Sequence, residues 1–302
     1  MTSLHLGLDL GGTNVKWVVL QRDGPAPRVV ATGQVRTDTS RGERSVVEQL
    51  IDIGRAAAKD WGVFDSVGIG VPGLYYPESG ATRFIPNVPG KWAGVPVVAE
   101  VSAALNAPAR MINDARAFTL AEHRLGAGRG ATSMLGITVG TGIGGGLIIG
   151  GSLYLGKDGS AGEFGHQTVV PDGPLCNCGN RGCLEVFARA EAIVTACGQP
   201  TVEQSVQAAA AGDVRAVDGM TSAGRYLGIG VSNVIVLVGV DRVVVGGGVA
   251  AAGDMLLEPL RAELHRRVYI TDISALEVVC AELGVWAGGI GAALHGAAWS
   301  VG

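Results

Sequence analysis

The sequence is short of charge. Asp, Glu, Lys and Arg make up 17% of 302 residues, and 27 acidic against 23 basic side chains leave a net charge of −4. So weak and slightly acidic a balance supplies no field for a phosphate backbone, which argues against duplex nucleic acid as a partner. With 47% apolar residues, the chain can bury enough surface to offset its entropy, so it is not a disordered sequence. A secretory signal is also missing, because Met1-Thr-Ser-Leu-His holds no basic stretch followed by an apolar one; the chain is expected to stay in the cytoplasm. The longest uncharged run, between Arg129 and Lys157, is long enough to span a bilayer. Its centre, Thr138–Gly146, is a turn-forming Gly/Thr stretch, so the run reads as two buried strands around a turn, with no membrane partner expected. Five cysteines, two of them isolated, do not make a disulfide framework.

Glycine is what the chain has in excess: 49 residues, about twice the usual share, with no period of three that would signal collagen. Apolar runs at Leu4–Leu10 and Val15–Gln21 flank Gly11-Gly12-Thr13-Asn14, a hairpin signature. Thr132–Val139 and Gly144–Ile149 repeat the device around Gly140-Thr141-Gly142. Between and after them, strands alternate with helical spacings, such as Val46, Val47, Leu50, Ile53 and Ala57 within Glu43–Trp61. Residues 75–96 read as a long loop, and Cys183–Cys197, Val214–Val238 and Val285–Trp299 as helices. The weak internal repeat implies two α/β domains facing each other across a cleft. Residues 1–113 form the smaller domain, completed by the C-terminal helix at about 286–302, and residues 114–285 form the larger one.

Four stretches can carry chemistry. Asp9-Leu-Gly11-Gly12-Thr13-Asn-Val-Lys16 combines a glycine turn, whose N–H groups can nest an anion, with a hydroxyl, a cation and a carboxylate able to hold Mg²⁺ through water. A ligand-free hairpin fits that segment equally well. Gly140-Thr141-Gly142 can nest an anion in the same way or serve close strand packing, and Gly247-Gly248, after the strand at Val243–Val245, is either a nucleotide site or a plain strand-to-helix turn. Asp114, at a strand-to-helix junction, is either a helix cap or a general base. The most specific stretch holds His166, Cys176, Cys178 and Cys183. One imidazole and three thiolates at short spacing match a closed tetrahedral Zn²⁺ site. Glu163 and Glu185 bracket this cluster and could accept hydrogen bonds from sugar hydroxyls, or be surface carboxylates.

Taken together, Asp9–Thr13, Gly70–Gly73, Pro86–Gly90, Asn113-Asp114, Thr138–Gly146, Glu163–His166, Cys176–Glu185 and Gly246–Gly248 follow one order across the chain. In that order the sequence resembles the ROK family of repressors, uncharacterised reading frames and sugar kinases, most closely its bacterial ATP-dependent glucokinases. The resemblance implies a two-domain actin/hexokinase-like (ribonuclease H-like) fold with an active-site cleft between the domains. It implies phosphorylation of a hexose 6-hydroxyl, glucose first, with fructose, mannose or an N-acetylhexosamine as the alternatives and a non-catalytic sugar-binding regulator as the remaining one. Asp114 would be the base. Gly73, Asn87, Asn113, Asp114, Glu163, His166 and Glu185 would bind the sugar. Asp9, Gly11, Gly12, Thr13, Lys16, Gly140, Thr141, Gly142, Gly247 and Gly248 would bind ATP with Mg²⁺, while zinc would be structural. A homodimer or homotetramer is the implied assembly. The sequence departs from the family at Arg116, commonly Asn, and at Phe164 and Gln167, which leaves the sugar open. A repressor would carry DNA-binding helices ahead of Asp9, so that branch is not expected.

Overall fold

The opening apolar runs fold as β1 (Ser3–Leu10) and β2 (Asn14–Arg22), antiparallel and joined by the glycine turn, and β3 (Arg28–Arg36) extends the hairpin to a meander. α1 (Glu43–Trp61) follows and buries Val46, Val47, Leu50, Ile53 and Ala57, the face its spacing predicts. β4 (Ser66–Val71) is buried throughout, as a strand covered on both faces must be. The stretch expected to be a loop contains a small hairpin, β5 (Leu74–Tyr76) with β6 (Ala81–Phe84). Its strands are too short for an alternation to be read in the sequence. α2 (Val97–Leu105), β7 (Ala109–Asn113) and α3 (Asp114–Leu125) complete the run. The five-stranded sheet has the order β3-β2-β1-β4-β7, with β1–β4 and β4–β7 parallel.

The second half repeats that plan. β8 (Met134–Val139) and β9 (Ile143–Ile149) form an antiparallel hairpin, and β10 (Ser152–Tyr154) pairs with β9. The helix expected over 183–197 divides into α4 (Glu185–Ala188) and α5 (Ala190–Cys197). Arg189, with extended backbone at ψ 162°, separates them. α6 (Val202–Ala210) and α7 (Val214–Val238) begin at side-chain caps, Thr201 and Asp213. β11 (Arg242–Gly246), α8 (Asp254–Arg267) and β12 (Glu277–Cys280) follow. The sheet order β10-β9-β8-β11-β12, with β8–β11 and β11–β12 parallel, matches the first sheet strand for strand. α7 has the length and apolar composition to cross a membrane, but it buries Met220, Ala223, Leu227, Val231 and Ile235 in the core of this half.

α9 (Ala287–Gly296) ends the described chain against the first sheet. Gly7 and Gly68 are register partners on β1 and β4. A Cβ at Gly7 would stand 1.9 Å from the Gly289 carbonyl oxygen, and one at Gly68 1.7 Å from that of Ala292. Their missing side chains let α9 lie backbone to backbone on the strands.

This computed structural model describes residues 2–24 and 26–298. Its contacts divide the chain into one unit of Met1–Ala121, Leu155–Ala161 and Val285–Gly302, and a second of Glu122–Tyr154 and Gly162–Gly284. The division therefore falls inside α3 rather than at 113/114, and the first unit also takes residues 155–161. Arg116 shows how: its side chain is 1% exposed, and Nε donates to the Ala161 carbonyl at 2.7 Å. Trp299, in the expected C-terminal helix, lies outside the described residues.

Candidate active site and thiol knot

In the first unit, the β1–β2 turn is closed by the Gly11 N–H on the Asn14 carbonyl at 3.0 Å. Thr37, just past β3, braces it twice, donating its N–H to Thr13 and its Oγ1 to the Gly11 carbonyl. Asp9 and Lys16 are register partners below the turn. Burial pushes the Asp9 carboxyl up to about 6, and the Lys16 charge acts against this. Asn87, expected on the sugar side, has φ +64°. Its carbonyl oxygen would be 2.8 Å from a Cβ on Gly12, so the structure seats this residue directly against the β1–β2 turn.

Asn113 caps α3. Its Oδ1 accepts from the N–H groups of Ala115 and Arg116 at 3.1 and 3.3 Å, and its Nδ2 donates to the Gly73 carbonyl at 3.2 Å. Asp114 is the first residue of α3, and Oδ1 accepts from the Ala115 N–H at 2.8 Å. Gly73, at φ +121°, passes so close to Phe84 and Pro86 that a Cβ would be 2.3 Å from the Phe84 carbonyl oxygen. Asn113, Asp114 and Gly73 thus belong to one hydrogen-bonded corner.

In the second unit, the Gly140–Gly142 turn is closed by the Gly140 N–H on the Gly142 carbonyl at 2.9 Å. Gly247, at φ +88°, lies against the end of β8: a Cβ there would be 2.3 Å from the Val139 carbonyl oxygen. The two glycine clusters, separated by about a hundred residues in sequence, are neighbours.

Cys176, Cys178, Cys183 and His166 converge as their spacing predicts, with all four ligand atoms within 4.8 Å of one another. Cys178 Sγ is 3.7 Å from Cys183 Sγ, and Cys176 Sγ is 3.7 Å from His166 Nδ1. Tetrahedral zinc with Zn–S bonds near 2.3 Å requires sulfur separations of about 3.8 Å, so the donor set fits the ion. The loop is pre-wound by its own backbone: the Cys176 N–H donates to Asn180, Gly179 to Cys176 and Gly182 to Pro174. The cysteines are free thiols. Burial pushes Cys183 up to about 12 and Cys176 upward, while the Asn180 N–H holds Cys178 low. Holding all three as thiolates would require a counter-charge, which a divalent cation supplies. His166 ends a 3₁₀ turn, Phe164–His166, that packs on β9, since a Cβ at Gly165 would be 2.3 Å from the Ile143 carbonyl oxygen. Glu163 precedes this turn and is exposed. Glu185 opens α4, and its Oε2 accepts from the Ile143 N–H at 2.9 Å.

Asp9, Gly11, Gly12, Thr13, Lys16, Gly73, Asn87, Asn113 and Asp114 therefore belong to the first unit, and the other expected site residues to the second. Sequence reasoning missed the grip of Glu185 on the Ile143 N–H beside the Gly140–Gly142 turn and the structural use of Arg116. The only signal of the latter was an arginine where an asparagine is common.

Paired α/β units whose sheets repeat one strand plan define a hexokinase-like fold. A match to the ROK family covers residues 5–297, and the chain belongs to that family. It is 33% identical over 309 residues to a glucokinase of Thermotoga maritima, covering 95% of each chain. Among solved structures it resembles a ROK hexokinase from Thermus thermophilus (TM-score 0.83, 35% identity, 99% of this chain and 98% of that one). It resembles equally a ROK family glucokinase from Streptomyces griseus in complex with glucose and AMPPNP (TM-score 0.83, 31% identity, 98% and 100% coverage).

Proposed function

We propose that this protein is an ATP-dependent hexose kinase that phosphorylates the 6-hydroxyl of glucose. The observation that carries this reading is the Asp114 carboxylate at the head of α3, in a chain alike from end to end to glucokinases.

In this proposal, Asp114 accepts the proton of the sugar hydroxyl as that oxygen attacks the γ-phosphorus of ATP and ADP leaves. Phosphoryl transfer proceeds through a loose transition state, so positioning and charge stabilisation dominate and the base needs no strongly raised pKa. Asn113, Gly73, Asn87, Glu163, His166 and Glu185 would bind the sugar. Gly11, Gly12 and Thr13, with Gly140, Thr141 and Gly142, present N–H groups and hydroxyls to the phosphates, with Lys16 adding charge, and Gly247 and Gly248 leave room for the nucleoside. Asp9 would hold Mg²⁺ through water; the ion neutralises phosphate charge. His166, Cys176, Cys178 and Cys183 would hold Zn²⁺, which fixes the loop and the orientation of the imidazole. Unpaired thiols suit the reducing cytoplasm, where we place the enzyme at the entry of sugar into glycolysis. Homodimer or homotetramer formation belongs to the same proposal. Leu237, Tyr269 and Ile270, each more than 80% exposed, are side chains such contact would cover.

The test is ADP release from Mg-ATP with glucose, mannose, fructose, N-acetylglucosamine and N-acetylmannosamine. Glucose is expected to be preferred. Preference for an N-acetyl sugar would move the acceptor and keep the chemistry, while no turnover with any sugar in folded, metal-loaded protein would favour a sugar-binding regulator. Asp114→Asn should lower kcat by about 10²–10⁴-fold. It keeps the oxygen that meets the Ala115 N–H, so the helix should survive. Normal turnover by this variant would remove Asp114 from the mechanism.

A further inference from the structure

We infer that the thiol knot governs nucleotide affinity through Glu185, which acts as a positioning residue for the Gly140–Gly142 turn. This rests on the proposed assignment of that turn to the nucleotide phosphates.

The chain leaving the knot runs straight to the turn and holds it at both ends. Cys183 is buried in the knot, and Leu184, fully buried, donates its N–H to the Gln167 carbonyl at 2.9 Å. Glu185 comes next. Its Oε2 accepts from the Ile143 N–H on the exit side of the turn at 2.9 Å. Five residues later, the Ala190 N–H donates to the Gly140 carbonyl on the entry side at 2.8 Å. The other carboxylate oxygen of Glu185, Oε1, lies 4.0 Å from Cys176 Sγ. One carboxylate therefore touches both a proposed metal ligand and the backbone of the turn. The fit is close: a Cβ on Gly142 would stand 2.6 Å from Oε2. Ile143 is buried, so without Glu185 its N–H would lose its acceptor, which is costly in a place closed to water.

The sequence suggested a sugar contact for Glu185, and Oε1 keeps that option. Oε2 has a structural duty already. Ordering the knot fixes Cys176 and Cys183, hence α4, hence the Glu185 carboxylate and the shape of the turn that offers N–H groups to phosphate. Loosening the knot should release the turn.

The test is calorimetric titration of Mg-AMPPNP, without sugar, into metal-loaded protein, chelator-treated protein, Glu185→Ala and Gly142→Ala. Chelation and Glu185→Ala should each weaken binding by about tenfold or more. Chelating Glu185→Ala should add little further loss, because the two changes break one linkage. Gly142→Ala, which pushes the carboxylate aside, should reproduce the Glu185→Ala effect in metal-loaded protein. Hydrogen exchange across residues 140–146 should quicken in both variants and on chelation. Nucleotide affinity within twofold of the parent protein in metal-loaded Glu185→Ala, or losses that simply add, would overturn the inference. Should the parent protein bind no nucleotide, the kinase reading fails; unchanged exchange at 140–146 on chelation then overturns the linkage separately. Circular dichroism on each sample identifies a variant that has not folded, and the exchange of metal-loaded Gly142→Ala then decides.

Discussion

Asn113 and Asp114 are adjacent and divide the work of one junction. Asn113 satisfies two N–H groups of α3 and ties them to Gly73, while Asp114 accepts the Ala115 N–H. A carboxylate at a helix start is commonly a cap, and only the hydrogen bonds show that its neighbour has taken that role. Three histidines outside the knot are structural: His5 lies between Ser66 and Ser3, His123 meets the Ala131 carbonyl, and His295 is half-buried on α9. His295, on α9, is pushed down to about 4 by burial, then by the charge of Arg110, with the Met111 backbone acting the other way. Its folded value lies below the unfolded one near 6.5. The unfolded chain therefore binds more protons between about pH 6.5 and 4, and stability falls as pH falls through that window. His295→Gln should flatten this acid limb by up to about 3 kcal/mol. Denaturant melts at pH 7 and pH 4.5 check it: an equal acid loss in both proteins would contradict the assignment. His5 and His123, shifted the same way, keep part of the slope.

At the scale of the element, glycine decides how closely backbones approach. Gly7 and Gly68 remove the side chains that would hold α9 off β1 and β4. Gly68→Ala would drive a methyl into the Ala292 carbonyl, and the backbone must shift. A loss of about 2–4 kcal/mol is expected, seen as a lower denaturation midpoint; stability equal to the parent would mean α9 can slide without cost. The strand–turn–strand device was legible before the structure because it is local: a β-hairpin is written in adjacent residues. α1 was legible by its period. The break at Arg189 was not, because α4 is positioned by the knot and by the Gly140–Gly142 turn, partners remote in sequence.

For the whole molecule, two sheets with one strand plan explain why the faint repeat of Asp9–Thr13 and Thr138–Gly142 was informative. The second unit carries the knot. Elemental analysis of chelator-free protein should find about one zinc per chain, and chelation should lower Tm, because an ion that binds the folded donor set and not the unfolded chain stabilises the fold. Absence of zinc in active protein would refute the assignment. Adjacent residues, by their order alone, determined the paired hairpins, the main helices and the thiol–imidazole donor set, because turn formation, helical period and close ligand spacing act over a few residues. Only the tertiary structure decided that Asn87 meets Gly12, that Gly247 meets β8, that Arg116 anchors residues 155–161 and that Glu185 grips the Ile143 N–H. Those contacts join segments far apart in the chain, so they exist only once the sheets and helices have packed.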